Sequence, residues 1–180
     1  MVYVMLGTGF EEMEAMAPVD LMRRAGIEVQ TVGINGKIVY GSHKIGVEAD
    51  LTLDQIPEAE PELVVLPGGL GGVASIRKSE QTLQLVRRTY EAGNFVAAIC
   101  AGPTVLADLG ITDGKAAVCY PGCEDGMGQA RIQPQTGVVR DGRVITGASA
   151  GCAVKFALAL IEALRGAEAA RRIEEQIVIR

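Results

Sequence analysis

The 180 residues carry 22 acidic and 17 basic side chains, a net charge of −5, and 48% of them are hydrophobic, with a mean hydropathy of +0.24. That balance excludes a disordered chain and suits one α/β domain over residues 1–180 with a core on both faces of a sheet. No basic tract stands out, the densest pairs being Arg23-Arg24, Arg87-Arg88 and Arg171-Arg172, so neither nucleic acid nor a membrane surface is an expected partner. Aromatics are 4% with no Trp, which makes the core aliphatic. The start, MVYVMLGTG, has no basic leader, and no apolar run reaches the roughly 18–20 residues of a membrane span, which points to the cytoplasm. The four cysteines, Cys100, Cys119, Cys123 and Cys152, are expected as free thiols in that compartment.

In chain order, Met1–Leu6 reads as a buried parallel strand, broken by Gly7-Thr8-Gly9. Glu11–Ala25 reads as a helix stopped by Gly26, with Pro18 marking either a kink or a start near Ala17. Ile27–Val32 is a strand, and Asn35-Gly36 signals a small β-hairpin over Gly36–Val47. Leu63–Leu66 is a third buried strand, ended by Pro67-Gly68-Gly69. Ser79–Ala92 is an amphipathic helix closed by Gly93. Phe95–Ile99 is a strand ending in Cys100, and Pro103–Leu109 begins another helix. Ala116–Cys119 and Val138–Thr146 read as strands, and Ala150–Leu164 and Ala167–Ile177 as helices. Strands alternating with helices predict a mainly parallel sheet with helices on both faces.

In such folds ligands bind beyond the carboxyl ends of the strands. Cys100 stands there, directly after VAAI and before Ala101-Gly102-Pro103 and a helix. Small residues after a strand-end nucleophile permit a tight turn that exposes its side chain. A helix N-terminus next to a thiol is expected to lower its pKa. The other three cysteines read as buried, inert thiols. Pro67–Gly72 offers a backbone anion cradle facing Cys100 and lacks the Gly-Lys-Ser/Thr of a phosphate loop. Of Glu11, Glu12 and Glu14, one carboxyl aimed at the sheet end would have a raised pKa and stay protonated beside a thiolate; spacing does not say which. The CYPGC pair, Cys119 and Cys123, lacks two further ligands at suitable spacing, so neither a metal nor a cofactor is indicated.

GFEEMEAMAPVDLMRRAGIEV, LVVLPGG and AAICAGPTVLADLG, in this order, resemble the ThiJ/PfpI superfamily over nearly the whole chain. The branch they resemble is the parkinsonism-associated deglycase and redox-sensor branch with its bacterial relatives. The resemblance implies a flavodoxin-like three-layer sandwich and a homodimer approached through Met13, Pro18, Val19 and Arg24. It implies Cys100 as nucleophile, Glu14 as its carboxyl partner, and Gly69, Leu70 and Ala101 as an anion site. Peptidase-like relatives carry His directly after the Cys, where this chain has Ala101; the loop His of the resembled branch falls on Tyr120. His43 lies where some relatives place an Arg reaching toward the partner's site, so Tyr120, His43 and Arg24 are candidate pocket residues. The implied function is glyoxalase- or deglycase-type chemistry on small aldehydes such as methylglyoxal, or on glycated amino groups. The alternative is a redox sensor whose Cys100 oxidises to sulfinic acid; a peptidase or amidase is disfavoured by the missing His.

Overall fold

The computed structural model describes residues 1–179. Strand β1 (Val2–Leu6) leads to helix α1 (Glu12–Arg24), β2 (Val29–Gly33), the antiparallel pair β3 (Ile38–Tyr40) and β4 (Gly46–Glu48), and β5 (Leu51–Thr52). Next come β6 (Leu63–Leu66), α2 (Leu70–Lys78), α3 (Glu80–Glu91), β7 (Phe95–Ile99) and α4 (Pro103–Asp108). The chain continues through β8 (Ala116–Ala117), β9 (Arg131–Ile132), β10 (Val138–Asp141) and β11 (Val144–Gly147) to α5 (Ala153–Arg165) and α6 (Ala167–Gln176). The seven-stranded sheet has the order β10-β11-β7-β6-β1-β2-β5. Every neighbouring pair is parallel except β10 with β11. This is the mainly parallel α/β sandwich that the alternating pattern predicts.

Side-chain alternation along the strands makes two cores. Val2, Val4 and Leu6 pack with Val65, Ala97 and Ile99 under α1, α5 and α6. Tyr3 and Met5 pack with Val64, Leu66, Val96 and Ala98 under α2, α3 and α4. Because both faces are covered, β1 and β6 are buried at every position and read as unbroken apolar runs.

The structure corrects several expected boundaries. Helix α1 runs from Glu12 through Pro18 without a break. The proline removes only the N–H that would have met the Glu14 carbonyl, and its ring is buried against the core side. Asn35-Gly36 ends β2 and is not the tip of the hairpin; β3 and β4 turn through Gly41–Ile45, with Lys44 at φ 66°. Asn35 instead receives the Thr8 N–H on Oδ1 at 3.0 Å. Helix α2 was hidden by Gly71 and Gly72, poor helix formers that let its first turn lie against the backbone of Gly9 and Phe10. Val138–Thr146 is two strands joined by a turn at Gly142-Arg143. Ala116–Ala117 pairs with β9 in a separate two-stranded sheet rather than joining the central one.

Phe156 of α5 is fully buried in the first core. Phe156→Ala should cost about 3–5 kcal/mol, read as a lower urea midpoint with an unchanged slope. A loss under about 1 kcal/mol would show that this face collapses freely.

Candidate functional site

Strand β1 lies between β2 and β6, so successive connections leave it in opposite directions and open a crevice at the carboxyl ends of β1 and β6. The loop after β1 closes on the loop after β6 through Glu11 N–H to the Gly68 carbonyl, 3.0 Å. Three glutamates then enter helix α1 with three different partners. Glu11 caps the helix, its Oε2 accepting the Glu14 N–H at 2.8 Å.

Glu12 holds the β3–β4 hairpin. Its Oε1 accepts the His43 N–H at 2.7 Å, and its Oε2 meets His43 Nδ1 at 2.8 Å and the Ser42 hydroxyl at 3.2 Å. Burial alone would raise the Glu12 pKa; the bonds from His43 and Ser42 outweigh it and hold it down to about 2. The same carboxylate raises the His43 pKa through its hydrogen bond and its charge.

Glu14 is completely buried and points at Cys100. Its Oε2 accepts the Gly68 N–H at 2.9 Å, while buried Oε1 has no hydrogen-bond partner among the described residues. Cys100 is its side-chain neighbour across Gly68. Gly68 is needed here: a Cβ would stand 2.6 Å from Cys100 Cβ and would also collide with Glu14 Oε2.

Cys100 itself sits at φ 64°, a left-handed conformation that costs a non-glycine residue about 1–2 kcal/mol. Its N–H donates to the Gly147 carbonyl at 2.9 Å and its carbonyl accepts the Tyr120 N–H at 2.8 Å. These bonds hold the sharp turn that β7 makes on leaving the sheet. A Cβ at Gly102 would lie 2.6 Å from the Leu66 carbonyl oxygen, so the chain can pass there only as glycine.

Burial, the largest influence, pushes the Glu14 carboxyl up to about 7; Glu11 adds to it, while the thiol and the Gly68 N–H oppose it. The upward direction is as expected, but at neutral pH both protonation forms are present. The Cys100 thiol moves against the expected lowering. Burial and the Glu14 carboxyl raise it to about 12, and the N–H groups of Ala101 and Gly69 offset this only in part. Burial and the carboxyl outweigh what α4 can offer, a helix of six residues that begins at Pro103, which has no N–H. The enclosure therefore tolerates one negative charge, and the first charge opposes the second.

A cavity of about 280 Å³ opens over the sulfur, lined by Glu11, Gly69, Leu70, Cys100, Ala101, Tyr120 and Cys123. Gly69, at φ 84°, is the residue before α2, and its backbone N–H joins that of Ala101 beside the sulfur. Leu70 and Tyr120 are exposed cavity walls. His43 lies outside the lining, held by Glu12. Arg24 is at the far end of α1, paired with Asp20 at 2.9 Å, and does not reach the cavity. Pro18 and Val19 are buried within the chain, whereas Met13 is exposed.

The DJ-1/PfpI family model matches residues 1–163. The chain belongs to the DJ-1/PfpI family. It is 37% identical over 179 residues to protein dj-1beta of Drosophila melanogaster, covering 98% of this chain and 95% of that one. The crystal structure of that DJ-1beta superimposes with a TM-score of 0.95 at 36% identity, covering 99% and 97% of the two chains. The Parkinson disease protein 7 homolog of Danio rerio is 36% identical, with 98% and 96% covered. A protein named a deglycase from Pyrococcus horikoshii is 32% identical over 124 residues, 69% of this chain and 74% of its own.

Within this DJ-1/PfpI chain, two cavity residues escaped the sequence reading. Glu11 looked like an ordinary helix-end acid, and Cys123 like a buried thiol. The spacing after Tyr120 held the only available signal: Pro121-Gly122 turns the chain back toward the site.

The Glu12–His43 tether has a pH window. Glu12, depressed from 4.5 to about 2, contributes stability that is present above about 4.5 and lost as pH falls toward 2. His43, raised from 6.5, contributes stability that is present below 6.5 and lost as pH rises through its raised value. Amide-exchange protection at His43 N–H should therefore peak between about 4.5 and 6.5. Glu12→Gln should flatten the peak, and an unchanged profile in that variant would contradict the tether.

Proposed function

We propose that this chain is a cysteine-dependent stress-protection enzyme acting on methylglyoxal or on its early adducts with amino groups. The observation that carries the reading is the buried Glu14–Cys100 pair, split by Gly68 and opening onto a small cavity. A deglycase-named relative supports the same class of chemistry. A base whose pKa lies near 7 is matched to proton transfer at neutral pH. Cys100 arrives as a thiol and must lose its proton as it reacts, so Glu14 carboxylate is the group that takes it.

The sequence of steps balances without a cofactor. The Cys100 sulfur attacks the aldehyde carbon, its proton passes to Glu14, and the C=O π bond becomes a C–O⁻ facing the N–H groups of Gly69 and Ala101. Glu14 returns the proton, giving a hemithioacetal. Glu14 then carries a proton from the aldehyde carbon to the ketone carbon through an enediol, leaving a thioester. Water cleaves the thioester, releasing lactate and the Cys100 thiol. With an amine adduct, the C–S bond forms as the C–N bond breaks, and the thiol proton passes through Glu14 to the departing amine. Exposed Met13, Tyr40 and Ile45, on α1 and on the hairpin that Glu12 ties to it, suit burial against a second copy in a homodimer.

Lactate formation tests the reading. Cys100→Ala should abolish it, and Glu14→Gln should lower kcat/KM by about 10²–10⁴-fold. In the natural chain kcat/KM should rise with pH and level off above about 7, since the base works deprotonated. Equal rates in all three proteins would overturn the proposal.

A second reading draws on the ring of donors around the sulfur. The N–H groups of Gly69 and Ala101, with protonated Glu14, could hold the oxygens of a Cys100 sulfinate in a redox sensor. Gly68→Ala should drive Glu14 and Cys100 apart and weaken both functions together. Peroxide oxidation of Cys100 at an unchanged rate in that variant would detach the donors from the redox reading.

A further inference from the structure

Four thiols are distributed unevenly around the site. Cys100 and Cys123 line the same cavity of about 280 Å³. Cys119 is buried with Ala117 and Met127, a cluster that Cys123 also packs against, and lies outside the lining. Cys152 lies before α5, under Gly137. The turn that carries Cys123 is fastened to the nucleophile's own backbone. Tyr120 N–H binds the Cys100 carbonyl at 2.8 Å, and Cys123 N–H closes the turn on the Tyr120 carbonyl at 2.9 Å. Cys123 is half-buried and is one of the residues lining the cavity. Nothing in the aldehyde chemistry uses it.

We propose that Cys123 is a resolving thiol, which captures oxidised Cys100 as an intramolecular disulfide across the cavity. The oxidant is a peroxide. In the first step the Cys100 sulfur attacks one peroxide oxygen: an S–O bond forms, the O–O bond breaks, and sulfur loses two electrons to the peroxide. The thiol proton travels by Glu14 to the departing oxygen, which leaves as water or an alcohol. Cys100 is now a sulfenic acid. In the second step the Cys123 sulfur attacks the Cys100 sulfur: the S–S bond forms, the S–OH bond breaks, and the hydroxyl leaves as water with the Cys123 proton.

The consequence is a fork. A sulfenic acid that meets a second peroxide goes on to sulfinic acid, which a thiol reductant does not reverse. One that meets Cys123 stops at a state that a dithiol restores. The cavity is small enough that closing it with a disulfide also excludes an aldehyde from Cys100. This inference rests on the two thiols sharing one cavity and stands or falls separately from the aldehyde reading.

The test treats the full chain with equimolar hydrogen peroxide, followed by alkylation, intact mass and non-reducing peptide mapping. The natural chain should lose two hydrogens and yield a linked Cys100–Cys123 peptide. Dithiothreitol should then restore alkylation of Cys100. Cys123→Ser should shift the product to a gain of two oxygens on Cys100 that dithiothreitol does not remove. Cys119→Ser should leave the linked peptide in place and serves as the control for general effects of losing a thiol. Two oxygens on Cys100 in the natural chain with Cys123 still alkylatable would overturn the proposal. So would a linked peptide joining Cys119 to Cys123.

Discussion

The site depends on a carboxyl group and a thiol shut in together where there is room for one charge. Glu14 is wholly buried, one oxygen is tied to Gly68 N–H, and Cys100 stands beside the carboxyl across Gly68. Neither group can shed its proton without raising the cost for the other. Most of the surrounding architecture serves this enclosure. Gly68 supplies the gap between the two side chains, Gly102 lets the chain pass Leu66, and the two-sided core fixes the strand ends from which both loops depart.

The three glutamates show how much a single helical turn can divide its labour. They are neighbours in sequence and chemically alike, yet one caps, one ties down a hairpin and one enters the core. Helical geometry separates them: Glu11 precedes the first turn, while Glu12 and Glu14 point to different sides of α1. Pro18 follows the same logic. Four residues after Glu14, it leaves that residue's carbonyl without its helical donor while keeping α1 unbroken.

The parts visible in the sequence were those set by short-range rules. Buried parallel strands announce themselves as apolar runs such as VYVML and LVVL, and the turn after VAAI marks Cys100. Elements decided by tertiary contact were harder. Helix α2 begins with glycines because the backbone of Gly9 and Phe10 presses on it, and local propensity cannot see that neighbour. The Gly142-Arg143 turn lies inside a continuous β-like run, where apolar residues on both sides hide it. Asn35-Gly36 looked like a hairpin tip because its preference for a tight turn is real; only its use differs, since Asn35 holds Thr8 N–H. The thiol's protonation was misjudged for a similar reason. The turn and the following helix were legible, but the shortness of α4 and the depth of burial were not. Cys123 became interesting only once a cavity joined it to Cys100.

The backbone around Cys100 is held on both sides, by Gly147 and by Tyr120, in a conformation that resists change. Cys100 is thus the stationary part of the site. Whatever differs from one ligand to another must be met by the walls, and two of these, Leu70 and Tyr120, are side chains with much of their surface in solvent and no core to disturb. Reactivity and selectivity are therefore separately heritable in this molecule. Replacing a wall residue changes what the cavity admits and leaves Cys100 and Glu14 where they were.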